Sequence, residues 1–154
     1  MTVYYLDTSA LVKRYVDEIG SEWLREVAAP ESRSLLFISR LAIVELISAL
    51  SRRLREGALT PEEFASARDA FRGDCLSEYQ VMPPTMTVID LACALVERHS
   101  LRAYDATHLG TALGAHRFLQ AAGRAPLIFL SSDERLVRAA GSEGLQVDNP
   151  NLHP

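Results

Sequence analysis

The sequence predicts an α/β fold in three layers, with helices packed on both faces of a central parallel sheet. Four or five short apolar segments alternate with longer segments of helical periodicity. The short segments are apolar on both sides, which is typical of strands covered on both faces of a parallel sheet. Because 154 residues suffice for one sizeable core, we predict a single domain over residues 1–154.

The predicted elements follow one another without repeats or linkers. The strands fall at residues 2–6, 34–38, 79–82, 126–130 and 145–147, and the helices at residues 10–16, 21–29, 40–55, 61–78, 85–99 and 104–122, with a last helix after residue 133. The best-defined start is that of the fourth helix, where Thr60 is the N-cap, Pro61 comes first and Glu63 closes a capping box. Gly73 is a weak point inside that helix.

The composition excludes several classes of protein. Hydrophobic residues make up 48% and charged residues 23%, which argues against disorder. No apolar run is long enough to cross a bilayer and no signal peptide is visible, so we expect a cytoplasmic protein. A net charge of −4 does not indicate nucleic-acid binding, although a local basic face is compatible with it. Cys75 and Cys93 are expected to be buried free thiols, not zinc ligands or a disulfide.

Two acidic residues follow predicted strands. Asp7 comes directly after the first strand, and Asp133 comes after the fourth strand and two serines. Ligands of open parallel sheets bind beyond the carboxyl ends of the strands, which makes both acids candidates for a site. The alternative is helix capping. Capping is the favoured interpretation of Asp133 taken alone, because Ser131 and Glu134 also form a plausible capping box.

Glu45 lies inside an unusually apolar helical segment, residues 41–47. Burial of an unpaired charge is costly, so an arginine, a metal ion or a proton should compensate it. Arg52 is seven residues further on, beyond the spacing at which helical side chains usually pair. Glu45 is therefore a candidate functional acid.

Asp105 stands at the start of a predicted helix rich in Ala, Leu and Gly. Capping or pairing with the helix dipole is the alternative role. Its neighbours Tyr104 and Leu109 indicate a position close to the core. The four candidate acids thus come from four separate segments, each at a strand end or on a helix packed near one, and we hypothesise that they converge.

Converging carboxylates repel one another, and raised pKa values or bound divalent cations relieve that repulsion. A site of carboxylates and water suits Mg²⁺ or Mn²⁺ and matches phosphodiester hydrolysis. Without metal, the acids should bind protons above their reference range, and Mn²⁺ should raise the melting temperature. No phosphate-binding glycine loop, GxSxG motif or zinc spacing is present, and we interpret His108 and His116 as surface or packing residues.

Four segments in order resemble the motifs of PIN-domain proteins, specifically the VapC-type toxin ribonucleases of type II toxin–antitoxin systems. They are LDTSALVK at residues 6–13, Glu45 in its apolar helix, LRAYDATHLGTAL at residues 101–113, and LSSDERLVRAA at residues 130–140 with DNP at residues 148–150. The resemblance covers nearly the whole chain. Each motif alone is weak, whereas the ordered set is specific.

The resemblance implies a PIN-like fold and a metal site. Asp7, Glu45 and Asp105 match the three acids that hold Mg²⁺ or Mn²⁺ in the family, and Asp133 matches a fourth, more variable acid. The implied activity is metal-dependent endonucleolytic cleavage of RNA, in which water attacks phosphorus and the 3′ oxygen leaves. The implied partners are an RNA substrate, a second copy of the chain, and a cognate antitoxin that often places an arginine near the acidic pocket.

Supporting residues are implied as well. Thr8 or Ser9 falls where the family often has a hydroxyl near the site, and Ser131 stands where threonine is commoner. Gly110 replaces the usual alanine or leucine and is expected to loosen its helix slightly. The basic residues expected near the mouth of the site, as steering groups for phosphate or as solvated surface charges, are Lys13, Arg14, Arg40 and Arg102.

Two alternatives belong to other functional classes. A catalytically silent PIN-like module would bind RNA or protein as a scaffold, but it has no reason to retain mutually repelling carboxylates. A phosphatase with an aspartyl nucleophile after the first strand normally needs a second acid two residues on, where this chain has Ser9. RNA cleavage with Mn²⁺ distinguishes the first, and trapping of an aspartyl-phosphate distinguishes the second.

Overall fold

A parallel sheet of five strands forms the centre of the structure, a computed structural model that describes residues 1–154. The strands are β1 (Val3–Leu6), β2 (Leu35–Ser39), β3 (Tyr79–Met82), β4 (Leu127–Leu130) and β5 (Gln146–Asp148). Their order across the sheet is β3-β2-β1-β4-β5, and every neighbouring pair is parallel. The first strand is therefore central, with its carboxyl end between those of β2 and β4.

Seven helices connect and cover the strands. They are α1 (Thr8–Leu11), α2 (Ser21–Val27), α3 (Leu41–Arg55), α4 (Pro61–Ser77), α5 (Met86–Arg98), α6 (Ala103–Ala121) and α7 (Glu134–Ser142). The predicted helix at residues 10–16 is in fact α1 followed by a 3₁₀ turn at Val12–Arg14. The capping box of Thr60 and Glu63 at the start of α4 is confirmed, and Gly73 does not interrupt that helix.

The sheet separates two hydrophobic clusters, which confirms the three-layer α/β/α prediction. Successive residues of a strand point to opposite faces. On one face Tyr5 packs with Phe129 and with the buried side chains of α5, α6 and α7. On the other face Leu6 packs with Leu46, Phe71 and the buried side chains of α1 to α4. Both faces of the sheet are thus shielded from solvent, which accounts for the continuous apolar character of the strands.

The prediction that both cysteines are buried was wrong. Cys93 is exposed on α5, while Cys75 is partly buried, and both thiols are free. Gly110 lies inside the continuous helix α6, where α5 and α6 approach each other closely. A Cβ atom at Gly110 would stand 3.0 Å from the Val88 carbonyl oxygen, so the missing side chain permits tight packing. No helix combines the length and the hydropathy that crossing a bilayer requires.

Candidate active site

The carboxyl ends of β1 and β4 place two predicted site residues side by side. Leu6 pairs with Leu130 in the parallel register, so Asp7 and Ser131 are the next residues of their chains. The Asp7 backbone N–H donates to the Leu130 carbonyl at 3.1 Å and continues the ladder by one bond. The hydroxyl of Ser131 donates to Asp7 Oδ2 at 2.8 Å. The sheet register itself therefore assembles this part of the site.

Asp7 is a buried carboxylate whose two oxygens both accept hydrogen bonds. Its Oδ1 accepts from the Ser9 hydroxyl at 2.7 Å and from the Ala10 N–H at 2.9 Å, so it also caps α1. The side chain is only 4% exposed. Burial raises the pKa of Asp7 above its ordinary value. The nearby His108 and the hydrogen bonds from Ser9, Ala10 and Ser131 act in the opposite direction. Asp7 is thus both the N-cap of α1 and a candidate site residue.

Ser9 and Ser131 are the supporting hydroxyls that contact Asp7, and each also holds the chain that leads to Asp133. The Ser9 hydroxyl accepts from the Ser132 N–H at 2.8 Å, and the Ser131 hydroxyl accepts from the Asp133 N–H at 3.0 Å. Thr8 does not contact Asp7; its hydroxyl lies 3.4 Å from His108 Nε2. Asp133 itself, and not Ser131, is the N-cap of α7, accepting from the Arg135 and Leu136 N–H groups.

Asp105 is the acid without a partner. It lies in the first turn of α6, partly buried, and its carboxylate makes no hydrogen bond or ion pair. Burial raises the pKa of Asp105, and the negative charges of Asp133 and Asp7 raise it further. The structure thus brings Asp7 and Asp133 within electrostatic reach of Asp105. Leu109 is fully buried, as expected for a turn close to the core, whereas Tyr104 next to Asp105 is 57% exposed.

Glu45 pairs with a histidine, a partner that the sequence analysis did not consider. His108 Nε2 donates to Glu45 Oε1 at 2.6 Å, and His108 Nδ1 lies 2.9 Å from the Tyr5 hydroxyl. The imidazole is 2% exposed. Burial alone would lower the pKa of His108, but the bond to Glu45 and the charges of Asp7 and Asp105 raise it overall. His108 is therefore the common neighbour of three predicted acids.

The interpretation of His108 as a surface or packing residue was incomplete. Its position one helical turn after Asp105 is the signal in the sequence that could have placed it at the site, since residues three apart share a face of a helix. His116, by contrast, has a packing role. Its Nδ1 accepts from the Leu127 N–H at 3.4 Å, and partial burial lowers its pKa.

The acids do not form a ready-made coordination cluster. No three His, Cys, Asp or Glu side chains are close enough together to hold a metal ion between them. The chemistry of the donor set nevertheless fits a hard cation, because the unpartnered Asp105 and the neighbouring Asp7 and Asp133 offer carboxylate oxygens only. Mg²⁺ commonly keeps several waters and needs only one or two direct carboxylate ligands, so widely spaced acids remain compatible with it.

The four basic residues predicted near the mouth differ in their availability. Lys13 is buried and pairs with Glu18 at 3.3 Å. Arg14 donates to the Tyr79 hydroxyl at 2.9 Å and pairs with Asp74, so neither cation is free to steer a substrate. The two that remain exposed and without an ion pair are Arg40 and Arg102.

Comparison with known proteins agrees with the fold and the motifs. The PIN domain family model matches residues 4–142. Ribonuclease VapC45 and ribonuclease VapC49, from two strains of Mycobacterium tuberculosis, are each 32% identical to the chain over 154 residues, all of both proteins.

Solved structures show the same fold at lower identity. FitAcB from Neisseria gonorrhoeae superposes with a TM-score of 0.65 at 15% identity, covering 96% of this chain and 97% of that one. VapBC2 from Rickettsia felis, bound to a promoter DNA fragment, gives 0.62 at 15% identity over 96% and 98%. VapC20 from Mycobacterium tuberculosis, a toxin that cleaves the sarcin-ricin loop, gives 0.61 at 16% identity over 98% and 99%. The resemblance to VapC-type proteins is therefore confirmed, and the chain belongs to the PIN-domain family.

Proposed function

We propose that this protein is a Mg²⁺- or Mn²⁺-dependent endoribonuclease that acts as the toxin of a toxin–antitoxin pair. The observation that carries the metal-dependent chemistry is the partly buried Asp105 carboxylate, which has no hydrogen bond or ion pair and faces the charges of Asp133 and Asp7. An arrangement of this kind has an electrostatic cost in the isolated chain, and a cation would relieve it. The full-length similarity to ribonucleases VapC45 and VapC49 supports RNA as the substrate.

Asp7, Glu45, Asp105 and Asp133 would hold the cation. Once bound, it would supply a water of lowered pKa and stabilise negative charge at the phosphate. The chain's own residues keep the donors in position. Ser9 and Ser131 fix both oxygens of Asp7, and the backbone N–H groups at the start of α7 orient Asp133.

His108 holds Glu45 on the same side of α6 as Asp105. Its ring is fixed at Nδ1 by the Tyr5 hydroxyl, so the imidazole cannot turn without losing a buried hydrogen bond. The bond to Glu45 and the charges of Asp7 and Asp105 raise the pKa of His108, against the effect of burial, and so favour the protonated form of the ring. Glu45 is consequently the acid whose direction depends on a neighbouring side chain, and Asp105 is the acid that is free to bind.

The proposed partners follow from the same charges. Asp105 and Asp133 could be satisfied by a bidentate arginine from an antitoxin, which would compete with the metal. Structures of related fold include a toxin–antitoxin complex from Klebsiella pneumoniae, which supports an antitoxin partner. We further propose a homodimer and a cytoplasmic location, and light scattering of the purified chain would test the dimer.

The test of the proposed function is cleavage of labelled RNA by the purified chain with Mn²⁺, compared with Asp7→Asn. We expect cleavage by the native chain and its loss in the variant, because Asp7 is the most deeply buried of the four acids. Asp69→Asn, which changes an exposed acid on α4, is the matched control. Equal cleavage by native chain and Asp7→Asn would reject the assignment of Asp7, and circular dichroism would show whether the variant is folded.

A catalytically silent binding module is the second candidate, and the absence of a preformed three-ligand cluster favours it. The unpartnered Asp105 argues against it, because a scaffold gains nothing from that repulsion. The aspartyl-phosphatase alternative fits less well. Ser9 stands where such an enzyme has its second acid, and its hydroxyl donates to Asp7 Oδ1.

A further inference from the structure

Two adjoining cavities lie beside the acids, and Arg52 borders both. The first has a volume of about 370 Å³ and the second about 380 Å³. Thr8, Ala49 and Arg52 belong to the walls of both cavities. We refer to the two cavities together as the trough. The residues that characterise it are Glu45 and Tyr104 at one end, Arg52 in the middle, and Lys13, Ser132 and Asn151 at the other end.

The second half of the trough has an excess of positive charge. Lys13 and Arg53 both contact the same carboxylate, that of Glu18. Arg52 is exposed, and its side chain makes no hydrogen bond or ion pair. Two cations therefore share one carboxylate, and Arg52 is a third cation that has no partner in the protein. Hydroxyl and amide groups of Ser132 and Asn151 provide further neutral donors in the same cavity.

The first half of the trough combines an aromatic ring with the edge of the acid site. Tyr104, on α6, is 57% exposed and lines the same cavity as Glu45 and Arg52 of α3. Glu45 and Arg52 are two turns apart on one face of α3, a separation of about 10 Å along the helix axis. The small residues Ser48 and Ala49 lie between them and keep this face open.

We propose that Tyr104 and Arg52 are substrate-binding residues of the trough, with one base of an RNA strand stacked on Tyr104 and a backbone phosphate held by Arg52. This inference rests on the proposed ribonuclease function and assigns it two residues that bind the substrate. An exposed tyrosine can stack on the face of an unpaired base, whereas the bases of a duplex are stacked on one another. Arginine is suited to a phosphate because its fork of N–H donors binds two oxygens at once. The candidate acids between and beside Tyr104 and Arg52 would then face the RNA backbone.

The experiment measures binding of a short fluorescent single-stranded RNA by anisotropy, in Mg²⁺ and on the Asp105→Asn background so that the RNA stays intact. Arg52→Ala should weaken binding about tenfold and lower the salt dependence by about 0.7 in the log–log slope. Arg55→Ala is the matched control, because Arg55 is exposed on the same helix but lies outside the trough. Its loss should leave the affinity nearly unchanged.

Tyr104 is tested by two substitutions. Tyr104→Ala should weaken binding about tenfold, since stacking of a base on an aromatic ring contributes on that order, while Tyr104→Phe should retain the affinity. A fully paired hairpin of the same composition should bind more weakly than the single strand.

The outcomes separate this inference from the proposed function. The native chain could cleave RNA while the Arg52→Ala and Arg55→Ala variants bind it equally well. That result would contradict RNA binding in the trough and leave the ribonuclease assignment intact. Specific binding without any cleavage would support the trough and reject the enzyme. Equal affinity for hairpin and single strand would overturn the choice of unpaired RNA, and absence of all RNA binding would reject both proposals.

Discussion

Two polar clusters of this protein use similar groups to opposite effect. Near β3, Arg14 pairs with Asp74 at 3.4 Å, and Tyr15 donates to Asp74 Oδ2 at 2.6 Å. The hydroxyl of Tyr79 contacts both Arg14 and Tyr15, so a cation, a carboxylate and two phenols satisfy one another. At the carboxyl ends of β1 and β4, acids predominate, and Asp105 has neither a hydrogen bond nor an ion pair.

The difference shows which of the two clusters keeps an unfavourable electrostatic interaction in the folded protein. Burial raises the pKa of Tyr79 to about 12, so that phenol stays neutral throughout the physiological range. Burial likewise raises the pKa of Asp105, but there the neighbours are other carboxylates and increase the shift. Sites that depart from the local rules of stability are the expected location of function. The balanced cluster holds α4 against the sheet, and the unbalanced cluster is the candidate active site.

The largest effect is expected from removing the unpartnered charge. Asp105→Asn should reduce Mn²⁺-dependent RNA cleavage at least about 100-fold, because loss of a ligand should exceed the loss seen for residues that only support ligands. Single-turnover cleavage of a labelled RNA measures it. Asp69→Asn, which removes an exposed acid, should cleave like the native chain, and an active Asp105→Asn variant would remove Asp105 from the site.

The balanced cluster should respond in stability instead. Asp74→Ala leaves Arg14 and Tyr15 without their acceptor in a partly buried position, so we expect a loss of about 3 kcal/mol in the free energy of unfolding. Urea denaturation measures the change, with Asp69→Ala as the exposed control on the same helix. A loss in the free energy of unfolding that is smaller than that of Asp69→Ala would show that the balanced cluster contributes little to stability.

Metal binding should stabilise the folded protein through the unbalanced cluster only. At free Mn²⁺ about tenfold above its Kd, mass action should add about 1.4 kcal/mol and raise the melting temperature by roughly 3–6 °C. The Asp105→Asn variant should show little of this shift, whereas Asp74→Ala should show all of it. A native melting temperature that is indifferent to millimolar Mn²⁺ would contradict the proposed metal site.

The smallest effect concerns pH in the absence of metal. Because the pKa of Asp105 is raised on folding, the native chain loses stability as the pH rises from the unfolded value of about 3.9 through the folded value. Asp105→Asn should therefore melt about 1–2 °C higher than the native chain at pH 7, after allowance for screening by solvent, and about equally at pH 3.5. A variant that melts lower at pH 7 would show that Asp105 is stabilised by contacts.

The sequence predicted the fold and the positions of Asp7 and Asp133 after their strands well, because both depend on local patterns. The apolar strands, the capping box at Thr60 and the acids after β1 and β4 are all predictable from neighbouring residues. The contacts between distant segments could not be predicted in this way. His108 meets Glu45 across 63 positions of the chain, and Gly110 meets Val88 across a helix pair, so neither role follows from local spacing.

By itself, the sequence determined the order of strands and helices, the PIN-type motifs and the excess of acids, because hydrophobic period and capping residues act over a few positions. Only the tertiary structure decided which acids are compensated. Asp7 receives three donors, Glu45 receives an imidazole and Asp105 receives none. Compensation depends on the register of β1 with β4 and on the packing of α6 against the sheet, and these are properties of the assembled fold rather than of any segment.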